Sequence, residues 1–498
     1  MLQVQAMSKK QISGIAAGTT RLRQRVSVND LPPDILLLIF RELLLTVRDP
    51  AFHGRFLVGW NDKNLEPWPP YDSSMSPLPF PESIASVCRH WRGVMSIMSL
   101  FWTRLVIWVG NDPTSLSTIR DYLTWSRDSL LDIYVLCRLD AATEEGPTEK
   151  VQMQAVMETL APHMKRWRLL RMKVLRASSL PRPRIEIVGR ADRLIDLEMQ
   201  AVVDDSEASV TGASPVSAEF STPVLERLRM GNVHFHESYV KLILQYRMPP
   251  KLSHLTISDY GLRHTNFPLV DLLECITECK GMLRVKLANL RLDCSYSGPP
   301  LVRRGIVWCA FADFVDMRGD EIAEYNRLLS YPYVHMTSYT RCSMEVPSLL
   351  GNSYYIKATE IASAKTLLTF LAAQRGPIPC SKVLMVNCDG LRHEVLRVMG
   401  FATNDNWVSP CLKSLAIVGC KQFSSMDLRY LLEARRSVHE ATGFPEAIEP
   451  GYVVGSIEYL NVEDCCELAS EDREWFDAHV SSVRWDDWSG GYGNSPAM

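Results

Sequence analysis

The side chains of this 498-residue chain that could bind a metal ion form only a few short clusters. His234 and His236 follow a predicted strand and are two residues apart, so both rings could reach the same side and bind a metal. Two His-Glu pairs, at 393–394 and 439–440, begin the His-Glu-x-x-His string of zinc peptidases but lack its second histidine. Surface or turn positions explain these histidines better. The sequence therefore predicts no metal site.

The 13 cysteines are an odd number, and they are scattered among mostly aliphatic neighbours. The closest pairs, Cys465-Cys466 and Cys275-x-x-x-Cys279, do not have a usual zinc-ligand spacing. The chain also has no glycine-rich phosphate loop and no Gly-x-Ser-x-Gly sequence. We expect reduced core cysteines, no catalytic residue and no cofactor. The sequence thus predicts a protein that is not an enzyme, located in the cytoplasm, the nucleus or both.

A basic cluster at residues 165–168, with Arg171 and Lys173 beyond it, could contact RNA through its cations and Trp167. An ordinary strand, with Trp167 in the core and solvated outward positions, is the preferred interpretation. The 54 Lys and Arg against 57 Asp and Glu give a net charge of −3, which provides no reason to expect nucleic acid as a partner. No apolar run approaches the roughly 20 residues of a membrane span, so we expect no membrane partner.

The first strongly apolar element lies near the N-terminus, where residues 31–43 read Leu-Pro-Pro-Asp-Ile-Leu-Leu-Leu-Ile-Phe-Arg-Glu-Leu. The two prolines suit the first turn of a helix, because the N–H groups of that turn have no partners within the helix. A helix that is apolar on nearly every side must be buried all round or must offer one face to a partner. A second helix is predicted at 84–94, where five apolar residues share one face: Ile84, Val87, Cys88, Trp91 and Val94.

One apolar pattern recurs beyond residue 110: an apolar residue, two others, an apolar residue, one other, and an apolar residue. Its early copies begin at residues 164, 194, 225, 252 and 282, which are 27 to 31 residues apart. Each copy would form a strand, and several are followed by segments of helical period. Such units must stack on neighbours to bury their faces. The copies are Met164-Trp167-Leu169, Leu194-Leu197-Met199, Leu225-Leu228-Met230, Leu252-Leu255-Ile257, Met282-Val285-Leu287, Leu412-Leu415-Ile417 and Ile457-Leu460-Val462, with partial or doubtful ones at Tyr331-Val334-Met336 and Leu384-Val386.

These elements together resemble a known family. The Leu-Pro start and apolar first helix, the Val87-Cys88-Arg89-x-Trp91 string and the closing Trp102 resemble the F-box, in the form found in large fungal F-box-like proteins. A plain buried helix pair is the alternative. The later pattern is similar to an irregular leucine-rich repeat, and a non-repeat α/β domain is its alternative. The fold class expected is α/β, with a small helical F-box followed by a solenoid of one parallel sheet with helices on its other face.

The resemblance implies a division of the chain. Residues 1–27 are predicted to be disordered, and 28–110 to form the F-box-like domain, with a proline-rich insertion at about 48–81 that departs from the usual F-box. Residues 111–484 would form the repeat region that binds a target, and 485–498 a flexible tail. This organisation resembles the substrate receptor of an SCF-type ubiquitin ligase. A scaffold outside a ligase is one rival, and an enzyme or nucleic-acid binder with a fortuitous helix pair is another.

In that family the F-box helices dock onto a Skp-family adaptor, which links them to a cullin, and the repeats capture a protein substrate. The resemblance places the adaptor contact on nine residues of the N-terminal segments: Leu31, Pro32, Ile35, Leu36, Ile39, Val87, Cys88, Trp91 and Trp102. The residues that would contact a target are the outward positions between the core positions of each strand. Those positions are mixed in character, so the sequence does not identify the target.

Overall fold

The computed structural model of the chain describes residues 28, 31–48, 80–138, 146–205, 218–243, 245–259, 267–301, 309–330, 333–344, 352–372, 380–401, 407–442 and 454–493. The segment predicted to be disordered, 1–27, and the interior of the proline-rich insertion lie outside these residues. The described chain divides into two compact units. One contains the residues up to 104 together with 120–129, and the other contains 105–119 and 130 onward.

The described residues contain twelve α-helices. They are α1 (Pro33–Arg48), α2 (Glu82–Ala85), α3 (Arg89–Met95), α4 (Leu116–Trp125), α5 (Gly146–Leu160), α6 (Asn232–Phe235), α7 (Leu269–Thr277), α8 (Gly319–Leu328), α9 (Ala364–Ala372), α10 (His393–Gly400), α11 (Ser425–Thr442) and α12 (Ser470–His479). None of these described helices is both long and apolar enough to cross a membrane.

The strands alternate with the helices along most of the chain. They are β1 (Arg104–Gly110), β2 (Leu131–Arg138), β3 (Trp167–Arg176), β4 (Gly189–Arg190), β5 (Asp196–Val203), β6 (Phe220–Ser221), β7 (Arg227–Gly231), β8 (His254–Ser258), β9 (Arg284–Ala288), β10 (Phe311–Val315), β11 (Tyr333–Thr340), β12 (Asn352–Thr359), β13 (Lys382–Val386), β14 (Ser414–Val418), β15 (Tyr459–Glu463), β16 (Ser482–Trp485) and β17 (Trp488–Gly490).

Fifteen of these strands form one sheet in which spatial order follows chain order, while β4 and β6 pair separately. The pairs from β2 to β16 within the large sheet are parallel. Strands β16 and β17, at the end of the sheet, pair antiparallel. The chain is therefore a mixed α/β protein with a large, mostly parallel sheet, which confirms the coarse fold class predicted from the sequence.

The predicted apolar positions lie side by side on the inward face of the sheet. Leu197 pairs with Leu228, and Leu228 with Leu255, and the next row joins Met199 to Met230 and Ile257. All of these side chains are buried. Helices α8 and α9 pack on this face through aromatic rings. The ring centroids of Phe314 and Tyr325 are 5.0 Å apart, and those of Tyr339 and Phe370 are 4.1 Å apart. Burial between sheet and helices is the main stabilising term of such an arrangement.

Two predicted registers are wrong, that of β3 by three residues and that of β13 by one residue. In β3 the side chains in line with Leu197 and Met199 are Leu170 and Met172, not Trp167 and Leu169. In β13 the buried positions are Val383 and Met385, because these are paired with Leu415 and Ile417. Leu384 and Val386 are only half-buried. In both strands adjacent residues are apolar, so the sequence pattern alone does not decide which one faces the core.

Three strands fill the stretch between residues 290 and 380, where the sequence showed only a doubtful match. They are β10, β11 and β12, and their inward rows contain Ala312 and Phe314, Thr337 and Tyr339, and Ile356 and Ala358. Alanine and threonine replace leucine at these core positions, which conceals the pattern. Of the doubtful match, Val334 is buried and Met336 is half-buried, and Tyr331 lies outside the described residues.

A left-handed residue follows most strands from β8 onward. Its N–H group donates to a carbonyl of the next strand, as from Asp259 to Ala288 (2.9 Å) and from Asn387 to Val418 (2.8 Å). These corner residues have φ between 47° and 67°, where Asn, Asp and Gly are favoured. Among them are Asp259, Asn289, Gly419 and Asp464, whereas Asn232, which follows β7, begins α6. The other corners are Asp316, Arg341, Glu360 and Asp486.

Two predicted boundaries differ from the structure. The sheet begins at Arg104, so the predicted domain limit at residue 110 falls at the end of its first strand. The segment predicted to be a flexible tail contains β17, which pairs with β16 and brings Trp485 opposite Trp488. Trp485 is buried, and its ring lies 5.6 Å from that of Phe476. The end of the sheet is therefore covered by its own last strand.

Candidate partner-binding surface

Helix α1 begins where the sequence predicts, with Pro33 in its first turn and Asp34 beside it. Leu36, Phe40 and Leu44 are four residues apart and are all buried, so they form the face that packs on the rest of the N-terminal unit. Four other apolar side chains, on the opposite side and along one flank of the helix, stay in solvent. Their exposed fractions are 42% for Ile35, 56% for Leu38, 41% for Ile39 and 39% for Leu43.

Cys88 positions the second segment by capping α3. Its backbone is extended, and its Sγ accepts a hydrogen bond from the N–H group of Trp91 at 3.4 Å. The guanidinium of Arg92 donates to the carbonyl of Ala85 (3.1 Å), which holds α3 against α2. The ring of Trp91 lies 5.2 Å from that of Phe40 and so joins α3 to α1. The residue before this cap, Val87, is 57% exposed.

Trp102 lies in the core of the same unit. Its Nε1 donates to the carbonyl of Met95 (3.0 Å), and its ring contacts Tyr122 at 4.8 Å and Trp125 at 4.3 Å. Tyr122 in turn donates to Oε1 of Glu82 (2.5 Å). Burial raises the pKa of the Glu82 carboxyl, and the hydrogen bond from Tyr122 opposes that shift. These aromatic residues form part of the core of the N-terminal unit.

The structure thus sorts the nine predicted contact residues into three groups. Pro32, Ile35, Ile39 and Val87 are exposed, and Leu31, Cys88 and Trp91 are partly exposed. Leu36 and Trp102 are buried, so they are corrected to core positions and are left out of the contacting surface. We call the exposed and partly exposed residues, together with Leu38 and Leu43, the apolar surface of the N-terminal unit.

Leu38 and Leu43 were missed by the sequence analysis, although the signal for them was present. In a helix whose buried face holds Leu36, Phe40 and Leu44, positions 35, 38 and 42 fall on the opposite side, and positions 39 and 43 lie along one flank. Four of those five are apolar. A group of exposed apolar side chains on one helix face is typical of an interface for another protein.

The outward face of the sheet begins with an ion network on β2, β3, β5 and β7. Arg171 lies 2.9 Å from Asp196 and 3.4 Å from Glu198, and both carboxylates are buried. Arg227 contacts Asp196 at 3.3 Å, and Arg229 contacts Glu198 at 3.3 Å. Arg168 pairs with Asp132. The basic cluster predicted around Trp167 is therefore largely neutralised by carboxylates, and Trp167 itself is buried.

A cavity of about 480 Å³ lies beside α5 in the larger unit. Three methionines form much of its wall: Met153, Met157 and Met164. The charged residues Lys150 and Glu186 also line the cavity. The hydroxyl of Ser179, which also lines the cavity, is buried without a hydrogen-bond partner among the described atoms. Flexible thioether walls with a few polar groups suit a small amphipathic molecule or an apolar side chain. The sequence pattern gave no sign of this cavity.

The histidine and cysteine candidates occupy structural positions. The Nε2 of His234 lies 3.2 Å from the carbonyl of Leu180, and the ring of His236 stacks on Phe267 at 4.0 Å. Burial lowers the pKa of both, that of His236 to about 4. Within the described residues, no group of three or more His, Cys, Asp or Glu side chains could hold a metal ion. All 13 cysteines are free thiols, and burial raises the pKa of Cys279 to about 12.

Comparison of the sequence with models of known protein families and with curated proteins found no match in either set.

Proposed function

We propose that this protein is the substrate receptor of an SCF-type ubiquitin ligase, with an F-box-like N-terminal unit and a leucine-rich-repeat-like sheet unit. The observation that supports this most is the apolar surface of the N-terminal unit. Apolar side chains of α1 stay in solvent on a segment whose sequence resembles the F-box. Exposing such a group is unfavourable unless a partner covers it. The resemblance to the F-box implies that this partner is a Skp-family adaptor.

The sheet unit supports the second half of the proposal. Its strands follow one another in chain order and in parallel, as expected when each repeat stacks on the last. Residues 412–420 read Leu-x-x-Leu-x-Ile-x-x-Cys, which fits the leucine-rich-repeat pattern ending in Asn or Cys. We therefore propose that the sheet and its helices form a solenoid of degenerate repeats.

Cysteines after the corners fit the same repeat. Cys342, Cys388, Cys420 and Cys465 each follow a left-handed corner residue. The thiol of Cys342 donates to the carbonyl of Phe314 (3.4 Å), and that of Cys388 to Ala358 (3.5 Å). These two thiols reach back to the preceding strand, and each satisfies one of its carbonyls. Leu290, Met317 and Ile361 occupy the same buried position in other repeats.

The proposed mechanism is proximity. The adaptor would link the receptor to a cullin, while the sheet unit holds a target protein close to a charged ubiquitin-conjugating enzyme. Holding two reactants together replaces a bimolecular encounter by an effectively intramolecular one. The receptor needs no acid, base or nucleophile of its own for this role.

The test is co-precipitation of the full chain from native lysate, with immunoblotting for a Skp-family adaptor and for a cullin. The proposal expects both to be recovered with the wild-type chain and to be lost with the Leu31→Ala, Pro32→Ala double variant. Recovery of the adaptor without a cullin would favour the scaffold over the ligase. Failure of the intact chain to capture the adaptor would overturn the proposal.

A further inference from the structure

The outward side of β9 to β13 has an unusual composition for a sheet face. A continuous series of contacts crosses these five adjacent strands. The Arg284 guanidinium lies 5.9 Å from the centroid of the Phe311 ring, and the ring centroids of Phe311 and His335 are 6.3 Å apart. The His335 ring stacks on the Tyr354 ring with a centroid distance of 5.5 Å, and Nζ of Lys382 lies 5.8 Å from the centroid of Tyr354. We call these five residues the cation–aromatic row. Cations and aromatic rings held together in this way are typical of recognition surfaces.

The charge on this face is net positive, because strands β9 to β13 contain one carboxylate, Asp313, which lies opposite Lys286 in the register, against four cations. Arg284 pairs with Asp313 at 2.6 Å, and those two charges cancel. Lys286, Lys357 and Lys382 remain, and none of them lies within ion-pair distance of a carboxylate among the residues that the structure describes. Lys357 lies between Ser338 and Leu384 in the register, so its flanking outward positions are uncharged.

The two ends of the sheet differ from this middle part. On β3 to β7 the outward carboxylates Asp196 and Glu198 are matched by arginines. Beyond β13, Lys413 pairs with Glu458 at 3.3 Å. At the corners, the nearby acids Asp316 and Glu360 are both bound by Arg341. The unpaired lysines of this face are therefore concentrated on β9 to β13, and their charge favours a negatively charged occupant.

We propose that the outward face of β9 to β13 binds an acidic, extended segment of the target protein. This inference rests on the proposed function and specifies the chemistry of the target. Five adjacent strands at about 4.8 Å separation span roughly 19 Å, the length of about six extended residues. Carboxylates of such a segment would pair with the three lysines, while its apolar side chains would pack against the exposed edges of the rings in the cation–aromatic row.

A peptide fits this surface better than a nucleic acid does. The rings of His335 and Tyr354 are nearly parallel, with an angle of 19° between them, so they stack on each other and leave little free ring face for nucleobases. Three unpaired lysines are also few compared with the roughly six to ten phosphate contacts of a typical nucleic-acid complex. A short acidic segment needs only a few cations.

The experiment measures binding of labelled 12-residue peptides to the purified full chain by fluorescence anisotropy. The probes are repeats of Glu-Glu-Tyr, Gln-Gln-Tyr and Lys-Lys-Tyr, together with a single-stranded RNA of 12 nucleotides. We expect the Glu-Glu-Tyr peptide to bind at least tenfold more tightly than the other two peptides. Its affinity should fall as salt rises from 50 to 300 mM, because the ion pairs involved are exposed to solvent.

Charge-reversal variants locate the site. Replacing Lys286, Lys357 and Lys382 by Glu should weaken the Glu-Glu-Tyr peptide at least tenfold, and replacing them by Gln should weaken it less. The matched control replaces three exposed lysines outside the strands by Glu and should leave binding unchanged: Lys241, Lys251 and Lys280. Thermal melting of each variant checks that the chain remains folded.

Equal binding of the Glu-Glu-Tyr and Gln-Gln-Tyr peptides would overturn this inference. Equal losses of affinity in the glutamate variant of Lys286, Lys357 and Lys382 and in the control variant would overturn it as well. Tighter binding of RNA that is lost in the Lys286, Lys357 and Lys382 variant would assign the face to nucleic acid instead. Adaptor capture by the same variant separates the two proposals. If adaptor capture is intact while peptide selectivity is absent, only the acidic-segment inference fails.

Discussion

Glu82 places a carboxyl group inside the aromatic cluster of the N-terminal unit. One oxygen accepts from Tyr122, and the other, Oε2, is buried without a partner among the described atoms. Burial disfavours the charged form, so the pKa of Glu82 is raised above its ordinary value of 4.5. The folded chain therefore holds this proton more tightly than the unfolded chain does.

The sign of the resulting pH dependence follows from that difference. A raised pKa in the folded state favours folding below pH 4.5, and this advantage is lost as the pH rises through the folded-state pKa. We expect Glu82→Gln, which stays uncharged, to have a higher melting temperature than wild type at pH 7 and no such advantage at pH 4. Thermal melts at both values measure the effect. An advantage of the same size at both pH values would contradict the assignment.

Gly419 occupies a corner position that Asn, Asp or charged residues occupy after other strands. Its φ is +67°, and a Cβ at this position would collide with Oδ1 of Asn387. We expect Gly419→Ala to lower the free energy of unfolding by about 1–2 kcal/mol, the usual cost of a left-handed backbone for alanine. The matched control is Gly281→Ala, where a Cβ meets nothing within 4 Å. Urea unfolding of both variants would contradict this account if their losses were equal.

At the scale of the elements, Leu228 tests the register of the sheet. It is fully buried between Leu197 and Leu255 on the inward face. Leu228→Ala should cost roughly 2–5 kcal/mol, as other large-to-small core changes do. The measurement is urea unfolding of the full chain. A loss below about 1 kcal/mol would place Leu228 outside the core.

The neighbouring residue Arg229 serves as the outward control for Leu228. Arg229 occupies an outward position of β7, but its guanidinium lies 3.3 Å from the buried carboxylate of Glu198. Arg171 and Lys173 remain near that carboxylate when Arg229 is removed. We therefore expect Arg229→Ala to cost about 1 kcal/mol, well below the several kcal/mol of a fully orphaned buried charge. Equal losses at positions 228 and 229 would contradict the register.

Strands with a clear alternation of large apolar residues could be predicted from the sequence. Strands with alanine or threonine at their core positions could not. The strands containing Leu228, Leu255 and Leu415 have apolar residues at alternating positions, and the structure places them in one parallel sheet. Strand β10 has Ala312 and Phe314 at its core positions, and β11 has Thr337 and Tyr339. Their burial depends on the strands beside them, which is long-range information that no local window contains.

The candidate site was predictable to a similar extent. An apolar helix with proline in its first turn was evident from residues 31–43, but which face is buried depends on what packs against it. Leu36 and Trp102 were placed on the contact surface because they match family positions, and the structure buries both. The ion network of Asp196 and Glu198 joins residues of separate strands. Such pairings follow from the register of the strands and could not be derived from spacing.

At the scale of the whole molecule, the proposal divides two tasks between two compact units. The apolar surface of the N-terminal unit would bind the adaptor, and the outward face of the sheet unit would bind the target. The two surfaces differ in chemistry, since one exposes Ile35, Ile39 and Val87 and the other exposes lysines and aromatic rings. Salt should therefore weaken target binding much more than adaptor binding.

The central claim, adaptor binding through the apolar surface, is tested most directly by calorimetric titration of the purified chain with a purified Skp-family adaptor. Ile39 is 41% exposed, so Ile39→Glu should leave the fold intact while placing a charge in the interface. Loss of a central anchor costs about 2 kcal/mol or more, roughly thirtyfold in affinity. The matched control is Val151→Glu, at a position in α5 that is 66% exposed. We predict binding by the wild-type chain and the control, and at least thirtyfold weaker binding by Ile39→Glu. No binding by the wild-type chain, or equal binding by all three, would contradict the account.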